Sequence, residues 1–340
     1  MVAGLPAPRG AEPALREGIS VSSSPAGDPQ PEGCLRSLAS RASQLVTGSA
    51  GSVRISLDEL PRYSDWPKRL LGLEPFAVKH KTESEVLREY RDEKWGQLLK
   101  RVQNMSEPTL SEVERASQDL SAVGPCYDSG CFYLASAQEM LDKHLNLYAE
   151  VLAPHIQGAS CLVELGAGYG SKIFSLARQR GFSDLLLIAA EYTETGRDLI
   201  AIVGRSLNKP IAIGYCDFFR LRLEDVTIPE NAVIFTSYAV HYVPQLSEDF
   251  VTFLSRLRPR AVVHFEPCYE HYSMASLHGM MCRRYVELND YTRNLVGVIE
   301  RNRERERILV RMRENVLGSN PFLPVSVIEW APAGRSEILG

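Results

Sequence analysis

Beyond residue 160 the chain alternates short apolar runs with stretches of helical periodicity, and that alternation sharply limits the folds open to it. The runs fall at 161–165, 185–190, 211–215, 232–237, 261–265, 309–316 and 325–330. Each has strand length, and the segments between the first five carry apolar residues at helical spacing. Five such runs interleaved with helices, followed by a closing pair, predict an α/β fold with a doubly wound, seven-stranded sheet over 156–333.

The chain before that point has a different texture. Six of the 20 prolines lie between Pro6 and Pro31, among Gly, Ala and Ser. A segment so poor in large apolar residues cannot offset its ordering entropy, so 1–52 is expected to be a disordered tail. It lacks the apolar stretch behind a basic start that marks a signal peptide. Residues 53–155 read as a helical cap. Val86, Leu87, Tyr90, Trp95, Leu98, Leu99 and Val102 recur near helical spacing, and a second helix is predicted over 133–155 from Met140, Leu141, Leu145, Tyr148 and Leu152. Between them, 124–130 is rich in turn formers, and Tyr127, Phe132 and Tyr133 are core residues or a cover for a ligand site.

Charge and cysteine usage exclude several classes of function. With 38 Lys and Arg against 42 Asp and Glu, the formal net charge is −4. No bulk field favours nucleic acid or an anionic membrane. The basic residues Arg301, Arg303, Arg305 and Arg307 are interrupted by Glu304 and Glu306, as on a solvated face. No apolar run reaches the ~18–20 residues needed to span a bilayer. The seven cysteines are odd in number, scattered, and without the spacing of a zinc site. Thiols in a reducing cytoplasm are expected, with no metal.

The chemistry-bearing motif is Glu164-Leu165-Gly166-Ala167-Gly168-Tyr169-Gly170. It follows an apolar strand and opens a helix at Ser171. Alternate glycines let the backbone turn tightly and approach a ligand closely. The spacing is not the GxGxxG of dinucleotide-binding proteins, and Glu164 suits a cationic ligand group better than a pyrophosphate. Glu191 ends the second strand, where a carboxylate accepts hydrogen bonds from a ribose diol. Asp217 ends the third, placed to meet an adenine amino group, with Phe218 flanking the ring.

In this ordered set the sequence resembles the class I S-adenosylmethionine-dependent methyltransferases. The resemblance implies S-adenosylmethionine as cofactor and a seven-stranded sheet whose last pair forms a hairpin. It implies that Glu164, Gly166, Gly168 and Gly170 pack against the methionine part, that Glu191 holds the ribose and that Asp217 holds the adenine. The segment after the fourth strand, which includes Ser237, Tyr238 and His241, then faces the transferred methyl. A second resemblance, to the arginine N-methyltransferases of bacterial natural-product (antibiotic) pathways, implies a small-molecule acceptor with a nucleophilic nitrogen.

Two readings of the acceptor follow. In the first, Glu266 at the end of the fifth strand, helped by Glu270 or Glu287, pairs with a guanidinium or amine and orients it, while Tyr238 and His241 line the methyl path. In the second, His241 is the general base of an O-methyltransferase. Two further alternatives are a methyltransferase-fold subunit without activity of its own, and an enzyme whose N-terminal helices dock a peptide.

Overall fold

The computed structural model describes residues 52–334. The reading of the N-terminal tail as disordered therefore lies outside the described residues. The strands are β1 (Val53–Ile55), β2 (Val123–Asp128), β3 (Cys131–Ser136), β4 (Cys161–Leu165), β5 (Leu186–Ala190), β6 (Ile211–Asp217), β7 (Arg222–Glu224), β8 (Val233–Ser237), β9 (Ala261–Pro267), β10 (Ile308–Gly318) and β11 (Val325–Pro332). They form one sheet in the order β1-β3-β2-β10-β11-β9-β8-β4-β5-β6-β7.

All seven expected strands are present and contiguous, running from β10 to β6 in that order. β6, β5, β4, β8 and β9 are parallel. β11 runs antiparallel to β9 and pairs with β10 as a hairpin. The expectation of seven strands is corrected to eleven. β7 folds back on β6, and β1, β2 and β3 continue the sheet beyond β10.

The N-terminal segment is correspondingly not a purely helical unit. The turn-rich stretch at 124–130 is most of β2, and the helix expected from residue 133 begins only at Ala137, after β3. Its start has a local cause: the Ser136 hydroxyl accepts from the Glu139 amide, while the Glu139 carboxylate accepts from the Ser136 amide at 2.7 Å, a reciprocal capping box. The predicted helix over 82–102 is broken into Glu83–Leu87, a π-helical stretch Arg88–Lys94 and Trp95–Val102. Leu98 and Val102 of the last piece are buried in the same apolar cluster as the sheet residues Leu162, Leu187 and Phe235.

The sheet buries both faces. Leu162, Ala189, Phe235 and Val263 face the helices Ala137–Ile156, Ser171–Ala177 and Glu194–Ser206. Their neighbours Val163, Ile188, Ile234 and Val262 face Phe250–Ser255 and Leu295–Asn302. That period of two is what a two-sided sheet demands of its strands. No helix among the described residues is long and apolar enough to cross a membrane. The six described cysteines are free thiols.

One polar chain threads the second core. The fully buried Trp330 indole N–H donates to His264 Nε2 at 3.1 Å, and His264 Nδ1 lies 3.0 Å from Thr236 Oγ1. Both ring nitrogens are used by the neutral imidazole. Burial lowers the pKa of His264 to about 4, and that of His144 likewise. The unfolded chain binds these protons near pH 6.5, whereas the folded chain refuses them until about pH 4. Stability from these groups is therefore lost as pH falls through that window. Urea midpoints should drop between pH 6.5 and 4, with a shallower slope in a His264→Gln variant; equal slopes contradict the assignment.

Candidate functional site

The glycine loop between β4 and the helix Ser171–Ala177 is built on left-handed backbone. Gly166, Gly168 and Gly170 have φ of 74°, 58° and 83°, values that favour glycine. Space adds a second demand. A Cβ on Gly166 would come within 2.4 Å of the Ala239 Cβ, and one on Gly168 within 3.0 Å of the Trp95 ring. Gly170 lies against Phe174, which a Cβ there would meet at 2.8 Å.

Glu191, just past β5, turns back to this loop. Its carboxylate accepts from the Gly168 amide at 2.9 Å, and from the Thr193 amide at 3.0 Å and hydroxyl at 2.8 Å. Burial pushes its pKa up, and these donors pull it back only in part. Gly196 permits this approach: a Cβ there would meet the Glu191 side chain at 2.6 Å.

The loop, Glu191 and the segments after β6 and β8 enclose a cavity of about 340 Å³, within the usual size range of small-molecule sites. Gly166, Gly168, Glu191, Phe218, Ser237, Tyr238 and His241 all line it. So do residues that the sequence reading did not single out for the site. Tyr90, Lys94 and Trp95 enter from the N-terminal helices, and Lys172, Tyr242 and Tyr291 from the α/β part. The π-helical stretch holds Tyr90 and Lys94, and such local unwinding is frequent at functional sites.

Several expected site residues do not line the cavity. Glu164 is fully buried beneath the loop: Oε1 accepts from the Lys172 ammonium at 3.1 Å and Oε2 from the Ile173 amide at 3.2 Å. Its cation comes from the chain itself. Asp217 organises the turn after β6, accepting from the Phe219 and Arg220 amides at 2.8 and 3.1 Å. Gly170 caps the helix that follows the loop. Tyr127, Phe132 and Tyr133 sit on the β2–β3 hairpin and are absent from the cavity wall.

The three acids expected to orient a substrate nitrogen are also outside it. Glu270 accepts from the Gly297 amide at 3.1 Å, and Glu287 accepts from the Tyr269 hydroxyl at 3.0 Å beside Arg284. Glu266 lies completely buried at the end of β9 and grips the turn after β8. It accepts from the amides of Ala239 at 3.0 Å, Val240 at 3.1 Å and His241 at 3.4 Å. Burial pushes its pKa up, but His241 and these amides outweigh that and leave the carboxyl below its ordinary range. The turn it grips starts at Tyr238, held at φ 50°, a costly conformation for a bulky residue.

His241 is almost wholly buried within that turn. Its Nδ1 is 3.4 Å from Glu266 Oε2, a little long for a well-formed hydrogen bond. Its ring meets Tyr242, Tyr291 and Tyr238 at centroid distances of 4.0, 4.8 and 5.8 Å. Burial lowers its pKa and Glu266 opposes this only partly, so the imidazole is neutral near pH 7.

No family model and no curated protein matches the sequence. Among solved structures, the chain is similar to the magnesium protoporphyrin IX methyltransferase of Synechocystis PCC 6803 with bound S-adenosylhomocysteine. The identity is 11% over 74% of this chain and 100% of that one, with a TM-score of 0.45. The small RNA methyltransferase HEN1 gives 12% identity over 65% of this chain and 34% of its own, with a TM-score of 0.42. The plantazolicin methyltransferase BpumL gives 12% over 57% and 88%, with a TM-score of 0.36.

Glu266→Gln replaces one acceptor oxygen by an amide nitrogen facing backbone N–H groups. The variant is expected to lose about 1–3 kcal/mol of stability in urea titrations, the cost of leaving a buried donor unsatisfied. Unchanged stability would contradict the anchoring role.

Proposed function

We propose that the protein is an S-adenosylmethionine-dependent methyltransferase acting on a hydroxyl of a small molecule. One observation carries the choice of acceptor: among the residues lining the cavity, the only carboxylate is Glu191 and the only imidazole is His241. Glu191 is already tied to the glycine loop. No other acid lines the wall to pair with a guanidinium, which disfavours a nitrogen held by Glu266, Glu270 or Glu287. A neutral, buried histidine suits an acceptor that must lose a proton.

The lining residues fit the cofactor. Gly166 and Gly168 line the cavity, packed against Ala239 and Trp95. Glu191 offers its remaining acceptor capacity to a ribose diol, and Phe218 and Phe219 provide an aromatic wall for a purine. The buried Trp95 indole nitrogen beside the loop has no hydrogen-bond partner among the described residues. When bound, S-adenosylmethionine supplies an electrophilic methyl on its sulfonium.

The chain's own work is alignment and proton removal. Tyr90, Trp95, Tyr242 and Tyr291 exclude water and shape the acceptor's approach, from which most of the rate is expected. Glu266, by holding the 238–241 turn, sets the His241 ring. A proton on Nδ1 faces the Glu266 carboxylate, leaving the Nε2 lone pair to accept the acceptor's hydroxyl proton. Glu266 is thus a positioning residue, and His241 the catalytic one.

Incubation with methyl-labelled cofactor and a panel of phenols, amino acids and guanidines tests the reading. Label is expected on a hydroxyl, and His241→Gln should lower kcat by about 100- to 10,000-fold with cofactor affinity retained. Because burial lowers the His241 pKa, the acid limb of the rate profile should lie below pH 6.5. Label on a guanidine nitrogen, or full turnover by His241→Gln, contradicts the proposal.

A further inference from the structure

The glycine-loop end of the cavity presents a cation where the sequence motif suggests an anion. Glu164, the acid of that motif, is fully buried and has both oxygens occupied by Lys172 and the Ile173 amide. Lys172 is the group that reaches the wall, with its side chain 25% exposed while that of Glu164 is not exposed at all. An ammonium carries three donors, and the acceptor described for Lys172 is the single Glu164 oxygen at 3.1 Å. Burial opposes its charge, but Glu164 outweighs burial and raises the Lys172 pKa, so the ammonium stays protonated.

The neighbours around it set the orientation of a ligand. Gly168 and Ser171 both precede it closely in the chain, and both line the cavity with Lys172. The amide of Gly168 is committed to Glu191. The Ser171 hydroxyl is committed to Glu114 at 2.8 Å. At this end Lys172 is therefore the cation left for an anionic group, beside the Trp95 indole N–H, unpartnered among the described residues.

Resting on the cofactor reading above, we infer that Lys172 binds the α-carboxylate of the cofactor's amino-acid part, and that Glu164 acts through Lys172 as its positioning residue. A charged hydrogen bond from a half-buried ammonium selects a carboxylate strongly. Glu164 keeps the lysine extended and charged, so the acid serves the site without touching the ligand.

The test uses the full chain and two probes, S-adenosylhomocysteine and its decarboxylated counterpart, which keeps the adenosine, the thioether and the amine. Binding is measured by titration calorimetry, without turnover. The wild type is expected to prefer S-adenosylhomocysteine by roughly 10- to 100-fold, the worth of one charged hydrogen bond. Lys172→Met should bring that ratio close to one by weakening S-adenosylhomocysteine alone. Because Lys172→Met strands a buried carboxylate, the Glu164→Gln/Lys172→Met double variant, which removes both charges, is measured beside it and should behave alike. Lys172→Arg should keep the preference. Equal affinity of the wild type for both probes, or an unchanged preference in either neutral variant, overturns the role of Lys172 alone. Binding of neither probe by the wild type overturns the cofactor reading and this inference with it.

Discussion

The site depends on a buried carboxylate that never reaches it. Glu266 closes β9 by accepting backbone amides from the turn after β8, and so ties together two parallel strands at their C-terminal ends. That grip holds Tyr238 at positive φ and sets Ala239 hard against Gly166. The β4 loop and the β8 turn are thus pressed together by one interaction, and the cavity opens beside their seam. Open α/β sheets place ligands at this edge because the loops there diverge from neighbouring strands. Here the divergence is fixed by a charge whose solvation is replaced entirely by N–H groups.

The same economy runs through the other buried acids. Glu164 is neutralised by Lys172, Asp217 is held by turn amides and the Arg220 side chain, and Glu329 pairs with Arg311 and lies 2.8 Å from His155 Nε2. Each acid is spent on its own chain, as the desolvation cost of a buried charge requires. What remains for a ligand is a wall rich in aromatic side chains, with Glu191, Lys172, His241 and, from the N-terminal helices, Lys94 as its acidic and basic groups.

Much of the central fold was legible in the sequence. All seven apolar runs became strands, because fully buried strands need continuous apolar stretches and the intervening helices need their stripe. The four added strands were hidden for physical reasons. β2 contains Gly124 and Pro125, and β3 ran into the helix after it; the capping pair Ser136 and Glu139 was the signal that separates strand from helix. β1 and β7 are each three residues long and too short for periodicity to register. The candidate site was legible at Gly166, Gly168, Glu191, Phe218, Ser237, Tyr238 and His241, which a motif and the positions at or after the ends of β5, β6 and β8 mark in the sequence and which line the cavity. It was illegible where an acid's partner lies far away in sequence. Nothing in the residues around Glu266 announces that the amides 25 to 27 positions earlier consume it. Tyr90 and Trp95 sit in an ordinary helical stripe of the sequence, and Lys94 stands outside it, because a π-helical stretch leaves no mark on apolar spacing.

The cavity bounded by the glycine loop, Glu191 and the 238–241 turn is the proposed seat of an adenosine cofactor. Crystals of the full chain soaked with S-adenosylhomocysteine test it most directly. The account predicts density in this cavity, with the ribose hydroxyls on the Glu191 carboxylate and the purine beside Phe218. Density elsewhere, or a ribose that leaves Glu191 bonded only to its own loop, would contradict it.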